Sequence, residues 1–185
     1  MTDTMIDGVD YGPLAQLAGT WKGDKGLDVA PLPDGDTAIP FHETILFEAI
    51  GDVTNAQRQT LSVLRYHQIV VRKEDEQVFH NETGYYSWDP ASNTVCQSLT
   101  IPRGLALLAG GECSKDTTQI EVRAKLGDPD WGITQSPFMR DNAKTVGFHH
   151  LLEVSGDELR YEETTFLEIY GRSFDHTDAN TLQRA

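Results

Sequence analysis

Histidine offers the widest range of chemistry in this sequence, because imidazole binds metals and transfers protons near neutral pH. The chain has six histidines: His42, His67, His80, His149, His150 and His176. None stands in an H-x-H or H-E-x-x-H pattern, and the adjacent His149 and His150 would point to opposite faces of a strand. The patterns do not indicate a zinc enzyme. For the five histidines before His176 we expect surface or hydrogen-bonded strand positions.

His176 differs from the others because it lies near the end of the last predicted strand. A neutral imidazole that points inward there could bind a haem iron as its proximal ligand. Its second ring nitrogen would then need a hydrogen-bond partner, such as Asp178 or a backbone carbonyl. Taken alone, a histidine in this position is more often a solvated side chain.

Acid–base chemistry is a separate reading of the polar residues that we expect inside the fold: His67, His80, Glu82 and Tyr161. Inward-facing His and Glu side chains would act as acid and base in an enzyme. The structural alternative for His80 and Glu82 is a cross-strand hydrogen bond. A serine nucleophile is not indicated, since no G-x-S-x-G motif occurs. The two cysteines, Cys96 and Cys113, are expected to be reduced thiols.

Strands must position these side chains, because strand patterns dominate from Trp21 onward. Runs rich in β-branched and aromatic residues, separated by polar turns, predict strands at 41–50, 60–72, 77–88, 94–101, 105–113, 117–126, 142–154, 158–170 and the end of 171–185. Residues 11–19 predict a short N-terminal helix. The proline-rich segment 27–40 predicts a loop or lid, and 127–141 predicts an irregular excursion. Either segment could cover or fill the mouth of a pocket.

The predicted fold class is all-β, an antiparallel up-and-down β-barrel of about ten strands, because closure of long strands removes exposed edges. A barrel of this size can hold one small ligand. Polar groups on both faces of 161–170 are expected where one face lines a cavity. No shift in composition divides the chain. We therefore expect a flexible arm at 1–10 and a single ligand-binding barrel domain at 11–185.

The net charge of −14 and the pI near 4.6 argue against nucleic-acid binding, because such a surface repels phosphate. No apolar run approaches the ~18–20 residues of a membrane helix. The acidic N-terminal residues do not resemble a signal peptide, so we expect a cytoplasmic protein. As to oligomeric state, the sequence is compatible with both a monomer and a homodimer.

Several short motifs together resemble the nitrobindin family, haem-binding β-barrels that are similar to fatty-acid-binding proteins and lipocalins. The motifs are G-x-W-x-G at 19–23, a tyrosine- and glutamine-bearing strand at 64–68, H-x-E-x-G-Y at 80–85, A-K-x-V at 143–146 and L-x-Y at 159–161. Their order and spacing, over residues 17 to 184, are more specific than any one of them. The third glycine of the family's first motif is replaced by Lys25, and the tail after His176 is shifted by one residue.

The resemblance implies a ferric haem b cofactor and a metal-ligating histidine on the last strand, which here is His176. It also implies that Lys144 and Thr37 border the haem. The implied activity is reaction with nitric oxide and isomerisation of peroxynitrite to nitrate, which would make the protein a haem-dependent peroxynitrite isomerase. The alternative is a haem-free carrier of a fatty-acid-like or other apolar ligand.

Overall fold

The computed structural model describes residues 4–185, and most of them lie in antiparallel β-strands. The first elements are a small hairpin (β1, Met5–Ile6; β2, Val9–Asp10) and a 3-10 helix (Gly12–Leu17). The remaining elements are β3 (Gly19–Leu32), β4 (Gly35–Asn55), β5 (Gln59–Arg72), β6 (Val78–Asp89), β7 (Thr94–Ile101), β8 (Leu105–Glu112), β9 (Gln119–Lys125), β10 (Ile133–Gln135), α1 (Pro137–Asn142), β11 (Ala143–Ser155), β12 (Glu158–Ile169) and β13 (Arg172–Arg184). Of the arm expected at 1–10, residues 1–3 lie outside the described residues, and the small hairpin occupies most of the rest.

Ten of these strands form a closed antiparallel barrel, as the sequence predicts. Strands β3 to β9 pair in chain order, β11 to β13 follow, and β13 returns to pair with β3. Strand β10 is an extra strand that pairs with the edge of β8. The pairing of β8 with β9 is the shortest ladder in the barrel, because it consists of the single pair Gly110–Arg123.

The loop expected at 27–40 is instead a hairpin in which β3 and β4 pair from Leu27–Pro40 to Leu32–Gly35. Prolines suggested a loop because they cannot donate to a ladder. Pairing of β3 with β13 ends at Val29, and pairing of β4 with β5 begins only at Phe41. Pro31 and Pro40 therefore lie where each strand is paired on one side only, which is where a sheet tolerates proline.

The irregular segment expected at 127–141 contains a turn, the short strand β10 and the six-residue helix α1. The Ser136 side chain accepts a hydrogen bond from the Met139 amide and so caps α1, with Pro137 in its first turn. Among residues 4–185, no helix has the length and apolar character needed to cross a membrane.

One end of the barrel is filled by an apolar core that closes it. Trp21 is fully buried there, and its indole N–H donates to the Leu17 carbonyl at 2.7 Å, which ties β3 to the 3-10 helix. The Arg184 guanidinium lies 4.1 Å from the Trp21 ring centre and donates to the Ala18 carbonyl. A side chain at Gly23 would meet Asn180 and Leu182 within 3 Å. The G-x-W-x-G motif therefore builds the closed end of the barrel.

Candidate functional site

Away from the closed end that contains Trp21, the barrel interior holds a cavity of about 690 Å³. Every barrel strand except β9 contributes to its wall, and so does helix α1 through Phe138 and Met139. The volume lies within the ~300–1,000 Å³ typical of small-molecule sites. Much of the wall is apolar and includes Val70, Leu99 and Leu167. The hairpin end of β3 and helix α1 both border the cavity.

His176 is part of the cavity wall. Its Nε2 lies 2.7 Å from Asp28 Oδ1 and 3.7 Å from Asp178 Oδ2, so two carboxylates flank one imidazole nitrogen. Burial lowers the pKa of His176, but the hydrogen bond to Asp28 and the charge of Asp178 outweigh burial, and the pKa lies above its usual value. The sequence named Asp178 as a partner. It missed Asp28, the nearer one, because that residue lay in the segment expected to be a loop.

The structure does not bring Lys144 and Thr37 into the cavity wall with His176. The Lys144 ammonium donates to Glu168 Oε2 at 2.9 Å, whereas the next residue, Thr145, faces the cavity. Thr37 lies on the hairpin end of β4, paired with Ala30. A ligand-binding role for these two residues stays a prediction.

A row of three carboxylates crosses three adjacent strands inside the barrel. Asp28 on β3 is the direct register partner of Asp178 on β13, which in turn is the partner of Glu163 on β12. All three line the cavity, and we call them the carboxylate row. Burial raises the pKa of Asp178 to about 6 and that of Glu163 well above its usual value. Like charges directly opposite each other on neighbouring strands are destabilising, so this row is costly in isolation.

Glu43 is a further buried carboxylate, on β4 and next to the row. Asn180 donates to its Oε1 at 2.7 Å and Gln68 donates to its Oε2 at 2.6 Å. Burial raises the pKa of Glu43 to about 7 although both hydrogen bonds oppose this shift. The alternation of β4 places Glu43 on the same inward face as Phe41 and Ile45. That alternation was the available sequence signal, but it did not single out a carboxylate.

Three of the acid–base candidates lie inside the barrel and one lies outside. His80, Glu82 and Tyr161 line the cavity, with His80 Nε2 3.4 Å from Glu82 Oε2. The Tyr66 hydroxyl also donates to Glu82. His67 points to the outer face, where its Nε2 lies 2.9 Å from Asn81 Oδ1. The structural alternative for these two residues was a cross-strand hydrogen bond; Glu82 makes one with Tyr66 of β5, whereas His80 contacts Glu82 on the same strand.

His149 and His150 point to opposite faces of β11, as their adjacency predicts. His149 lies on the outer face, 2.8 Å from Glu121, and His150 is buried among Tyr86, Gln97 and Tyr161. Burial lowers the pKa of His150 to about 4, so this imidazole is neutral at pH 7.

Arginine side chains and one unpaired hydroxyl complete the polar part of the cavity wall. Arg72 and Arg103 both line it, and Arg103 donates to the Phe79 carbonyl at 2.8 Å. The Thr145 hydroxyl is buried and has no hydrogen-bond partner among residues 4–185. Buried polar atoms are normally satisfied, so an unpaired hydroxyl in a cavity wall is the kind of group that an occupant would pair.

Comparisons with known proteins agree with this architecture. The family model for the THAP4-like, heme-binding beta-barrel domain matches residues 10–184. The crystal structure of Rv2717c from M. tuberculosis is similar, with a TM-score of 0.66 and 24% sequence identity over 93% of this chain and 94% of that chain. At this identity the likeness shows the fold. None of the curated proteins matches the sequence. The findings confirm the resemblance to the nitrobindin family that the motifs predict.

Proposed function

The chain belongs to the family of THAP4-like, heme-binding β-barrel domains, and we propose that it binds haem b inside the barrel with His176 as the iron ligand. The observation that carries this proposal is the position of His176 in the wall of a cavity of about 690 Å³, paired with Asp28. A ligating histidine commonly donates its second N–H to a carboxylate, which fixes the ring and makes it a stronger ligand.

The other residues of the cavity wall fit an amphipathic cofactor. Leu99, Leu107 and Leu167 offer apolar contacts for the haem macrocycle. Arg103 offers a cation that could pair with the carboxylate groups of the haem. The Thr145 hydroxyl would gain a hydrogen-bond partner inside a filled cavity. These contacts would also exclude water from the ring that they surround.

A single-histidine haem leaves one coordination position open to a small ligand, which is the chemistry that such a group supplies when bound. We propose nitric oxide and peroxynitrite as the reactive partners, on the strength of the family resemblance. The protein's own part is to hold the haem through His176 and to exclude water from the cavity. The barrel thereby sets the geometry and the local polarity, while the redox chemistry belongs to the cofactor.

Haemin titration of the purified protein tests the proposal. We expect a Soret band that saturates at one haem per chain and is lost in His176→Ala. His149→Ala is the matched control, because His149 is an outer-face histidine near a carboxylate, and it should leave the band unchanged. A band of equal intensity in His176→Ala would contradict His176 as the iron ligand. Absence of saturable uptake by the wild-type protein would contradict haem binding altogether.

A haem-free carrier is the second candidate, and the position of Arg72 and Arg103 favours it. Both line a largely apolar cavity, which suits a ligand with one carboxylate and a hydrocarbon body. Native mass spectrometry of the purified protein separates the two functions. A carrier predicts co-purified fatty acid whose retention depends on Arg103 and is unaffected by His176→Ala.

A further inference from the structure

We propose that Asp28, His176 and Asp178 form a binding site for a non-haem divalent transition-metal ion such as Zn²⁺ or Fe²⁺. Their three ligand atoms lie within 4.8 Å of one another, and they offer one imidazole nitrogen and two carboxylate oxygens. This donor set suits borderline divalent metals, which accept both imidazole and carboxylate ligands.

The distances are close to those of a coordination sphere. Metal–ligand bonds of about 2.1 Å place neighbouring ligand atoms about 3.0 to 3.4 Å apart in octahedral or tetrahedral geometry. His176 Nε2 lies 2.7 Å from Asp28 Oδ1 and 3.7 Å from Asp178 Oδ2, which brackets that spacing. Small side-chain rotations would therefore suffice to admit an ion.

The fold holds the three residues together without a loop. Asp28 and Asp178 are direct partners of the β3–β13 ladder, and His176 lies two residues from Asp178 on the same inward face. Backbone pairing from Val29–Thr177 to Leu27–Ala179 thus fixes the positions of the donors. Such a site is better preorganised than one on mobile segments.

The carboxylate row adds a third acidic side chain next to the two carboxylate donors. Glu163 continues the row on the next strand, where its Oε2 lies 3.6 Å from His150 Nδ1, while the His176 imidazole contacts Asp28 and Asp178. Arg103 lines the same cavity, but its guanidinium donates to the Phe79 carbonyl. A bound divalent ion would offset the repulsion between Asp28 and Asp178, which are direct partners across the β3–β13 ladder.

The ion and haem would be mutually exclusive occupants, because the haem-bound histidine would donate its Nε2–H to Asp28, whereas the ion would take Nε2 as its ligand. The site lies in the wall of the cavity, so three protein ligands would leave coordination positions that face the cavity. This is the arrangement of open metal sites, in which water or a small molecule completes the sphere. The inference does not depend on the proposed haem function, since it concerns the haem-free protein.

Calorimetric titration of the haem-free protein with Zn²⁺ tests the site. We expect one ion per chain, and at least a tenfold loss of affinity in Asp178→Asn and in His176→Ala. Asp175→Asn is the matched control, because Asp175 lies on the exposed outer face of the same strand and should bind as wild type does. Asp28→Asn serves as the second carboxylate variant if Asp178→Asn does not fold, as judged by circular dichroism.

A competition experiment gives a second readout. Preloading with Zn²⁺ should reduce haemin uptake, measured as Soret absorbance, and a chelator should restore it. Absence of Zn²⁺ binding, or equal binding by wild type, Asp178→Asn and His176→Ala, would overturn the metal site. If Zn²⁺ binds and haemin does not, the metal site stands and the haem function fails. If haemin binds and Zn²⁺ does not, the haem function stands and the metal site fails.

Discussion

His176 and Asp28 join the last strand of the barrel to the first through a 2.7 Å contact between Nε2 and Oδ1. The two residues are 148 positions apart in the sequence, and the contact exists because β13 pairs with β3. It fixes the orientation of the imidazole at the cavity wall. The haem-binding proposal therefore depends on Asp28 as well as on the histidine itself.

Asp28→Asn should weaken haem binding by about 10-fold or more, because loss of a carboxylate partner makes the imidazole a poorer and less oriented ligand. Haemin titration followed by Soret absorbance measures the change. Asp175→Asn, on the outer face of β13, should bind haem with wild-type affinity. Equal affinities for the two variants would show that Asp28 does not support His176.

Glu43→Gln should change how stability depends on pH. The pKa of Glu43 is about 7 in the folded protein and near 4.5 when the chain is unfolded, so the folded state holds this proton more tightly. Stability from this group is complete below pH 4.5 and is lost as the pH rises towards 7, by about 3 kcal/mol. Glu43→Gln should thus gain stability relative to wild type at pH 8 but not at pH 4.5, measured by urea unfolding. Glu48→Gln, on the exposed outer face of β4, should show no such gain.

His150→Gln should act in the opposite direction. Burial lowers the pKa of His150 to about 4, from 6.5 in an unfolded chain, so protonation favours unfolding. Stability from this group is present above pH 6.5 and is lost as the pH falls towards 4, by about 3 kcal/mol. The variant should lose less stability than wild type between pH 7 and pH 4.5. His149→Gln, one residue away on the outer face, is the control, and an equal acid sensitivity of the two variants would contradict the assignment.

Trp21→Ala should destabilise the barrel by about 3–5 kcal/mol, because it empties a fully buried aromatic position at the closed end. It also removes the hydrogen bond to the Leu17 carbonyl and the surface on which Arg184 lies. Chemical denaturation measures the loss. Tyr85→Ala removes an aromatic ring that is 47% exposed and should cost less than about 1 kcal/mol.

Amide hydrogen exchange should be faster at the β8–β9 junction than elsewhere in the barrel. These strands share the single pair Gly110–Arg123, whereas β12 and β13 pair continuously from Glu158–Gln183 to Ile169–Arg172. Local opening requires less free energy where fewer backbone bonds must break. Mass spectrometry of exchanged peptides would measure this. Equal protection of β9 amides that face β8 and of β12 amides that face β13 would contradict it.

The barrel could be predicted from the sequence because its strands are long, rich in β-branched residues and bounded by polar turns. Strand β5, for example, alternates inward Tyr66, Gln68 and Val70 with outward residues. The mixed inward face of β12 was likewise visible in its alternation, and Glu163 and Tyr161 both line the cavity. Local patterns of this kind depend only on neighbouring residues.

Asp178 was named from the sequence as a partner of His176, but Asp28, the nearer partner, could not be predicted in the same way. Asp28 lies near prolines that local rules assign to loops, and its inward position follows from pairing with a strand about 150 residues later. The burial of Glu43 depends on Gln68 and Asn180, which come from two other strands. Sequence periodicity reports a shared face, but the approach of distant strands decides which polar groups meet on it.

The pairing of β13 with β3 also sets the order of events during synthesis. A nascent chain that has not yet produced β13 has an open sheet, an unfinished wall and no His176, whatever the state of the preceding strands. Joining two segments so far apart is slow compared with forming successive hairpins. Binding of a ligand inside the barrel would therefore be confined to chains in which β13 has paired with β3, and a growing polypeptide on the ribosome could not enclose one early.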